Sequence, residues 1–133
     1  MRIVDTVVLI ALRDRNDPFF KKANEHVIEI GLSRDILVPS ATLMEFDLEL
    51  KSHGEGSESR AGIHSTVAGL IPRSKVLPLT PGVLRRAAEL SETATWRGSY
   101  FDTLIAATGL EFGADSAITT DRKFAKLGIE PVF

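Results

Sequence analysis

The chain has 133 residues, 44% of them hydrophobic and 26% charged, which excludes a disordered chain and suffices for a single domain, residues 1–133, with a substantial core. It contains no cysteine, which excludes thiolate zinc sites, iron–sulfur clusters, a thiol nucleophile and a disulfide-built scaffold, and points to a reducing, cytoplasmic setting. The 16 Lys and Arg against 18 Asp and Glu give a net charge of −2, unlike a globally basic nucleic-acid binder, although four acids assigned to a metal would leave the remainder slightly basic.

Read in order, Ile3-Val4 opens as a short strand and residues 6–12 as a helix. The opening Met1-Arg2-Ile3-Val4-Asp5 has an acid where a signal peptide places its apolar stretch. The longest apolar run, residues 7–12, is far short of the roughly 20 residues that span a bilayer, so no membrane partner is expected. Asp17-Pro18 reads as a helix cap followed by proline at the first helical position. Phe20, Ala23, Val27 and Ile30 carry that helix, and Gly31 suits its stop. Ile36-Leu37-Val38 is a strand ended by Pro39, and Ser40 can cap a helix running through Leu43, Met44 and Leu50. Residues 52–59 are the most loop-like stretch, and Ile63, Val67, Leu70 and Ile71 mark a helix closed by Pro72. Val76-Leu77 is the next strand. Thr80-Pro81 starts the helix of Val83, Leu84, Ala87, Ala88 and Leu90, and residues 100–112 form a strongly apolar helix before Gly113. Ala117-Ile118-Thr119 is a strand, residues 122–127 a short helix, and Pro131-Val132-Phe133 a final strand. Short apolar strands alternating with helices predict an α/β fold, with a mostly parallel sheet covered by helices on both faces. Ligands of such folds collect at the carboxyl ends of the strands.

Most of the acids sit among polar neighbours, but Asp5, Glu45, Asp102 and Asp121 adjoin apolar segments at strand ends or early in helices. Singly, Asp5 and Asp121 can be read as helix caps and Asp102 as a complement to a helix dipole. Glu45 shares its helix with Asp47 and Glu49, and periodicity alone does not choose among them. Together, the four acids are placed to converge at the strand ends. Two like charges 5 Å apart repel by ~3 kcal/mol at an effective dielectric near 20, so four ionised carboxylates would oppose one another by ~20 kcal/mol. Protons or a metal must relieve that repulsion. An all-oxygen donor set suits Mg²⁺ or Mn²⁺, whereas zinc prefers His or Cys. His26, His53 and His64 are scattered, and none pairs with another at ligand spacing. A hydrated Mg²⁺ held by carboxylates is equipped for phosphodiester hydrolysis.

The chain resembles the PIN-domain nucleases, in particular the VapC-type toxins of toxin–antitoxin pairs, over essentially its whole length. Four ordered patterns carry the resemblance: Asp5-Thr6 before Val7-Val8-Leu9; Thr42-Leu43-Met44-Glu45-Phe46-Asp47-Leu48; Tyr100-Phe101-Asp102-Thr103-Leu104-Ile105-Ala106-Ala107; and Ile118-Thr119-Thr120-Asp121-Arg122-Lys123-Phe124. The second pattern favours Glu45 over Asp47. The resemblance implies a Mg²⁺- or Mn²⁺-dependent endoribonuclease, usually a homodimer and inhibited by a small antitoxin protein. Asp5, Glu45, Asp102 and Asp121 would carry the metal, and Thr119 would support the site through its hydroxyl. Many relatives have a further acid where this chain has Lys123, which puts a second metal in doubt.

Arg97, Arg122 and Lys123 could steer RNA by charge, although a solvated surface role serves Lys123 equally. Trp96 either stacks a base or, the preferred reading, seals the core or a dimer contact. The alternative is a non-catalytic module of the same fold that binds RNA or protein, against which the complete acid quartet argues. Aspartyl phosphotransfer fits poorly, because Asp5-Thr6-Val7 lacks the second acid of an Asp-x-Asp motif and only Asp5 stands near the start, where receiver domains place a pair of acids.

Overall fold

The computed structural model describes residues 1–93 and 98–133. Among these residues, β1 (Arg2–Val4), β2 (Ile36–Pro39), β3 (Val76–Leu77), β4 (Ser116–Ile118) and β5 (Glu130–Val132) form one sheet in the order β3-β2-β1-β4-β5. Every pairing is parallel. Parallel neighbours need crossover connections, and helices supply them here. Helices α1 (Thr6–Ala11) and α2 (Phe20–Leu32) join β1 to β2, and α3 (Ser40–Ser52) and α4 (Ser57–Leu70) join β2 to β3. Helices α5 (Pro81–Ser91) and α6 (Tyr100–Glu111) precede β4, and a 3-10 helix (Arg122–Leu127) leads into β5.

The strands are short because each needs only enough residues to alternate between two apolar layers. Ile3 and Ala117 face the core built from α5, α6 and the 3-10 helix, while Val4 and Ile118 face the core built from α1, α2 and α3. Helices therefore cover both faces, as the apolar strand pattern implies. Helix α6 lies so close to the sheet that a Cβ on Gly109 would stand 2.7 Å from Ile3 Cδ1 and 2.8 Å from Ile129 Cδ1.

Local signals misplaced some boundaries. Asp17 does not cap α2: its Oδ1 accepts the Phe19 N–H at 2.8 Å and its carbonyl accepts the Phe20 N–H at 3.0 Å. These bonds make a turn ahead of the helix, so Pro18 lies outside it. Gly31 is inside α2, which runs on to Leu32. Ser40 is the first residue of α3, and its hydroxyl donates to the Leu77 carbonyl at 2.7 Å, tying the helix to β3.

The chain builds the sheet outward from β1 to β3, then returns to place β4 on the other side of β1. Strand order therefore reverses between β1 and β4, the position where doubly wound folds open a ligand crevice beyond the strand ends. Asp5 directly follows β1 and Thr119 directly follows β4.

Candidate metal centre

Asp5 continues the ladder by donating its N–H to the Ile118 carbonyl at 3.2 Å, and its extended backbone (φ −88°, ψ 160°) lets it cap α1. Its Oδ1 accepts the Thr6 N–H at 2.7 Å, and its Oδ2 accepts the Thr119 hydroxyl at 2.6 Å across the reversal point. The side chain is buried. Burial pushes its pKa up to about 6 despite both donors, and the negative charges of Asp102 and Asp121 add to the rise. The Thr119 hydroxyl also accepts the Asp121 N–H at 3.0 Å, so one buried side chain fixes both the Asp5 carboxylate and the turn after β4.

Glu45 lies in the second turn of α3. That helix is pinned over the end of β1 by the Thr42 hydroxyl, which donates to the Val4 carbonyl at 2.7 Å. The Thr6 hydroxyl donates to Glu45 Oε2 at 2.5 Å. Burial raises the Glu45 pKa to about 7, helped by the charges of Asp102, Asp5 and Glu49. Asp47, two residues on, belongs to a different contact. Its Oδ1 receives His64 Nε2 at 2.7 Å and Arg60 Nε at 3.0 Å from α4, and these partners, His64 foremost, hold its pKa below the usual range. His26 approaches the Phe133 carbonyl and His53 the Glu49 carbonyl, so neither joins the acids.

Asp102 comes from a third element, the first turn of α6. Its Oδ2 accepts the Ser99 N–H at 3.1 Å while Ser99 Oγ accepts the Phe101 N–H at 3.1 Å, a reciprocal cap that fixes the carboxyl at the helix start. Burial raises its pKa, Asp121 adds to the rise, and Lys123 opposes it.

Asp5, Glu45 and Asp102 each offer an oxygen, and these three atoms lie within 4.8 Å of one another. At that separation each ionised pair repels by about 3.5 kcal/mol or more at an effective dielectric of 20, which adds to burial in favouring the protonated acids. The donor set fits a hard divalent cation. Octahedral Mg²⁺ keeps its oxygens at about 2.0–2.1 Å, so ligand oxygens stand about 3–4 Å apart, and a small contraction of the trio meets that geometry. Val7, Ile10 and Glu49 complete a crevice of about 220 Å³ around the trio.

Asp121 is not one of this trio. Its Oδ1 accepts the Lys123 N–H at 2.9 Å and caps the 3-10 helix, while its charge reaches Asp5 and Asp102. Arg122 and Lys123 are exposed beside it. Arg97 and Trp96 lie outside the described residues. Sequence reading overlooked the side chains that orient the acids, Thr6 and Ser99. Both carried a signal: Thr6 is a hydroxyl directly after Asp5 in an apolar run, and Ser99-x-x-Asp102 has the spacing of a capping box.

Known proteins share this architecture. The chain superposes on VapC20 of Mycobacterium tuberculosis, described as a sarcin-ricin loop cleaving toxin, with a TM-score of 0.75 at 18% identity, covering 99% of this chain and 98% of that one. FitAcB from Neisseria gonorrhoeae gives a TM-score of 0.76 at 17% identity, covering 100% and 97%. VapBC2 from Rickettsia felis, in a structure bound to a DNA fragment from its promoter, gives 0.72 at 14% identity, covering 98% and 96%. No curated protein matches the chain by sequence. The PIN domain family model matches residues 2–130, essentially the whole chain, and the chain therefore belongs to the PIN domain family.

Proposed function

We propose that the protein is a divalent-metal-dependent endoribonuclease whose centre is the carboxylate trio of Asp5, Glu45 and Asp102. One observation carries the reading: three carboxylates from three elements meet at the strand-order reversal, where burial and mutual repulsion both oppose ionisation and a cation would relieve them. These residues would hold Mg²⁺ or Mn²⁺, which when bound supplies water activation and charge stabilisation at a phosphodiester.

The remaining work belongs to the chain's own groups. The Thr6 N–H and the Thr119 hydroxyl clamp both Asp5 oxygens, so that carboxylate is oriented before substrate arrives. Glu45 is oriented by the Thr6 hydroxyl on its Oε2, and the burial that raises its pKa to about 7 without a cation is the cost that a bound cation would offset. Asp121 joins the trio as the fourth acid of the site through its charge, while Lys123 and Arg122 draw the phosphate backbone to the rim, a role also assigned to Arg97.

In its biology the protein is the toxin of a toxin–antitoxin pair, acting in the cytoplasm as a homodimer and restrained by a small antitoxin protein. Similarity to VapC20, a cleaving toxin, supports this assignment. Among the described residues no helix is long and apolar enough to cross a membrane. The test is cleavage of a mixed single-stranded RNA pool by the purified protein with Mg²⁺, Mn²⁺ or EDTA, alongside Glu45→Gln. Cutting that needs metal and is lost in the variant supports the assignment. Intact RNA under every metal overturns it in favour of a non-catalytic binding module.

A further inference from the structure

A second cleft of about 300 Å³ opens on the other side of Thr119, at the carboxyl ends of β4 and β5. Its walls are Phe19, Thr119, Thr120, Arg122, Pro131 and Phe133. Thr119 ties this cleft to the acids: it lines the cleft while its hydroxyl bonds Asp5. A strand of nucleic acid with one phosphate at the trio therefore has a neighbouring nucleotide within reach of this cleft.

Phe19 is the unusual wall. It leaves 43% of its surface exposed, yet it is held firmly. The Asp17 carboxylate accepts its backbone N–H at 2.8 Å, and its ring meets Phe133 edge to face, with centroids 5.2 Å apart and planes at 81°. Phe133 is braced in turn by the His26 ring, at 5.4 Å and 66°. Exposing a large ring forfeits burial energy, and fixing it without covering it makes a flat apolar surface ready for a partner. At the rim, Arg122 is exposed, and its guanidinium has no partner among the described residues. A fixed aromatic face beside an unpaired cation matches a base and its phosphate, because stacking serves any base and the cation neutralises the backbone.

We propose that this cleft is a nucleobase subsite, in which an unpaired base of the RNA next to the cut phosphate stacks on Phe19 while Arg122 binds the adjoining phosphate. This inference rests on the ribonuclease reading and adds to it a determinant of which nucleotide stands beside the cut.

The test is steady-state cleavage of single-stranded RNA, with KM, kcat and the nucleotide preference beside the cut measured for the wild type, Phe19→Ala, Phe19→Leu, Phe19→Tyr and Arg122→Ala. Phe19→Ala and Phe19→Leu should each raise KM about tenfold with little change in kcat, and flatten the preference. Phe19→Tyr keeps the ring and should keep both. Arg122→Ala should raise KM on all sequences alike. Thermal unfolding with and without Mn²⁺ checks that each variant folds and keeps its metal response. If the wild type cuts RNA and the Phe19 variants retain its KM and preference, the subsite is overturned while the nuclease stands. If Phe19→Leu performs like the wild type, the cleft holds an apolar group without stacking, which also overturns it. If the wild type cuts no RNA, both readings fail.

Discussion

Replacing Asp5 by asparagine separates the cost of the acidic cluster from its purpose. Asparagine caps helices as well as aspartate does, and its Oδ1 can still accept the Thr6 N–H, so α1 should be retained. What disappears is a buried charge. The Asp5 pKa rises in the folded protein from 3.8 to about 6, so the folded state binds this proton more tightly than the unfolded chain. The stabilisation from that proton is complete below pH 3.8 and lost as pH rises through 6. Two units correspond to about 3 kcal/mol. In metal-free buffer, Asp5→Asn should therefore match the wild type near pH 4 and exceed it by about 2–3 kcal/mol at pH 8, read by urea unfolding. Adding Mg²⁺ should close most of that gap. A cation at 100 times its dissociation constant stabilises the wild type by about 2.7 kcal/mol and the variant much less. Equal stability at pH 8 without metal, or equal stabilisation of both proteins by Mg²⁺, would refute the argument.

The remaining expectations concern the supports of the site. Thr119→Val leaves Asp5 Oδ2 without its hydroxyl donor and the Asp121 N–H without its acceptor, and should cost about 1–3 kcal/mol and weaken Mn²⁺ binding about 10–100-fold. Thr119→Ser should restore most of the binding in a calorimetric titration. Gly109→Ala gains up to about 1 kcal/mol of helix propensity but drives a methyl into Ile3 and Ile129, so a net loss of about 1 kcal/mol is expected in urea unfolding. A stabilised variant would mean that α6 sits farther from the sheet. Lys123→Ala should weaken RNA binding on every sequence and reduce the salt slope by about 0.7, measured by fluorescence anisotropy across a salt series. An unchanged slope would place Lys123 outside the RNA path.

Much of this site could be read from the chain because its signals are local. Asp5 and Asp102 stand out as acids against apolar runs, at a strand end and a helix start, and the parallel strand pattern says which end of the sheet they occupy. Glu45 was not separable from Asp47 by periodicity, because the difference is tertiary: α4 presents His64 and Arg60 to Asp47, while α1 presents Thr6 to Glu45. Asp121 looks like the other acids in one dimension. In three, its carboxyl is engaged by the Lys123 N–H, the local bond that an acid before a helical turn readily makes. A local bond of this kind also shifted the start of α2, where Asp17 builds a turn around Phe19. Thr119 does two jobs that only the neighbouring chain ends define, since its partners are Asp5, 114 positions away, and the Asp121 N–H.

The measurement that bears most directly on the account is the anomalous scattering of Mn²⁺ in crystals of the wild type and of Asp102→Asn. A peak is expected at the strand-order reversal, within coordination distance of carboxylate oxygens from Asp5, Glu45 and Asp102, with its loss or marked weakening in the variant. A crevice without Mn²⁺ in the wild type, or an ion bound equally well in Asp102→Asn, would contradict it.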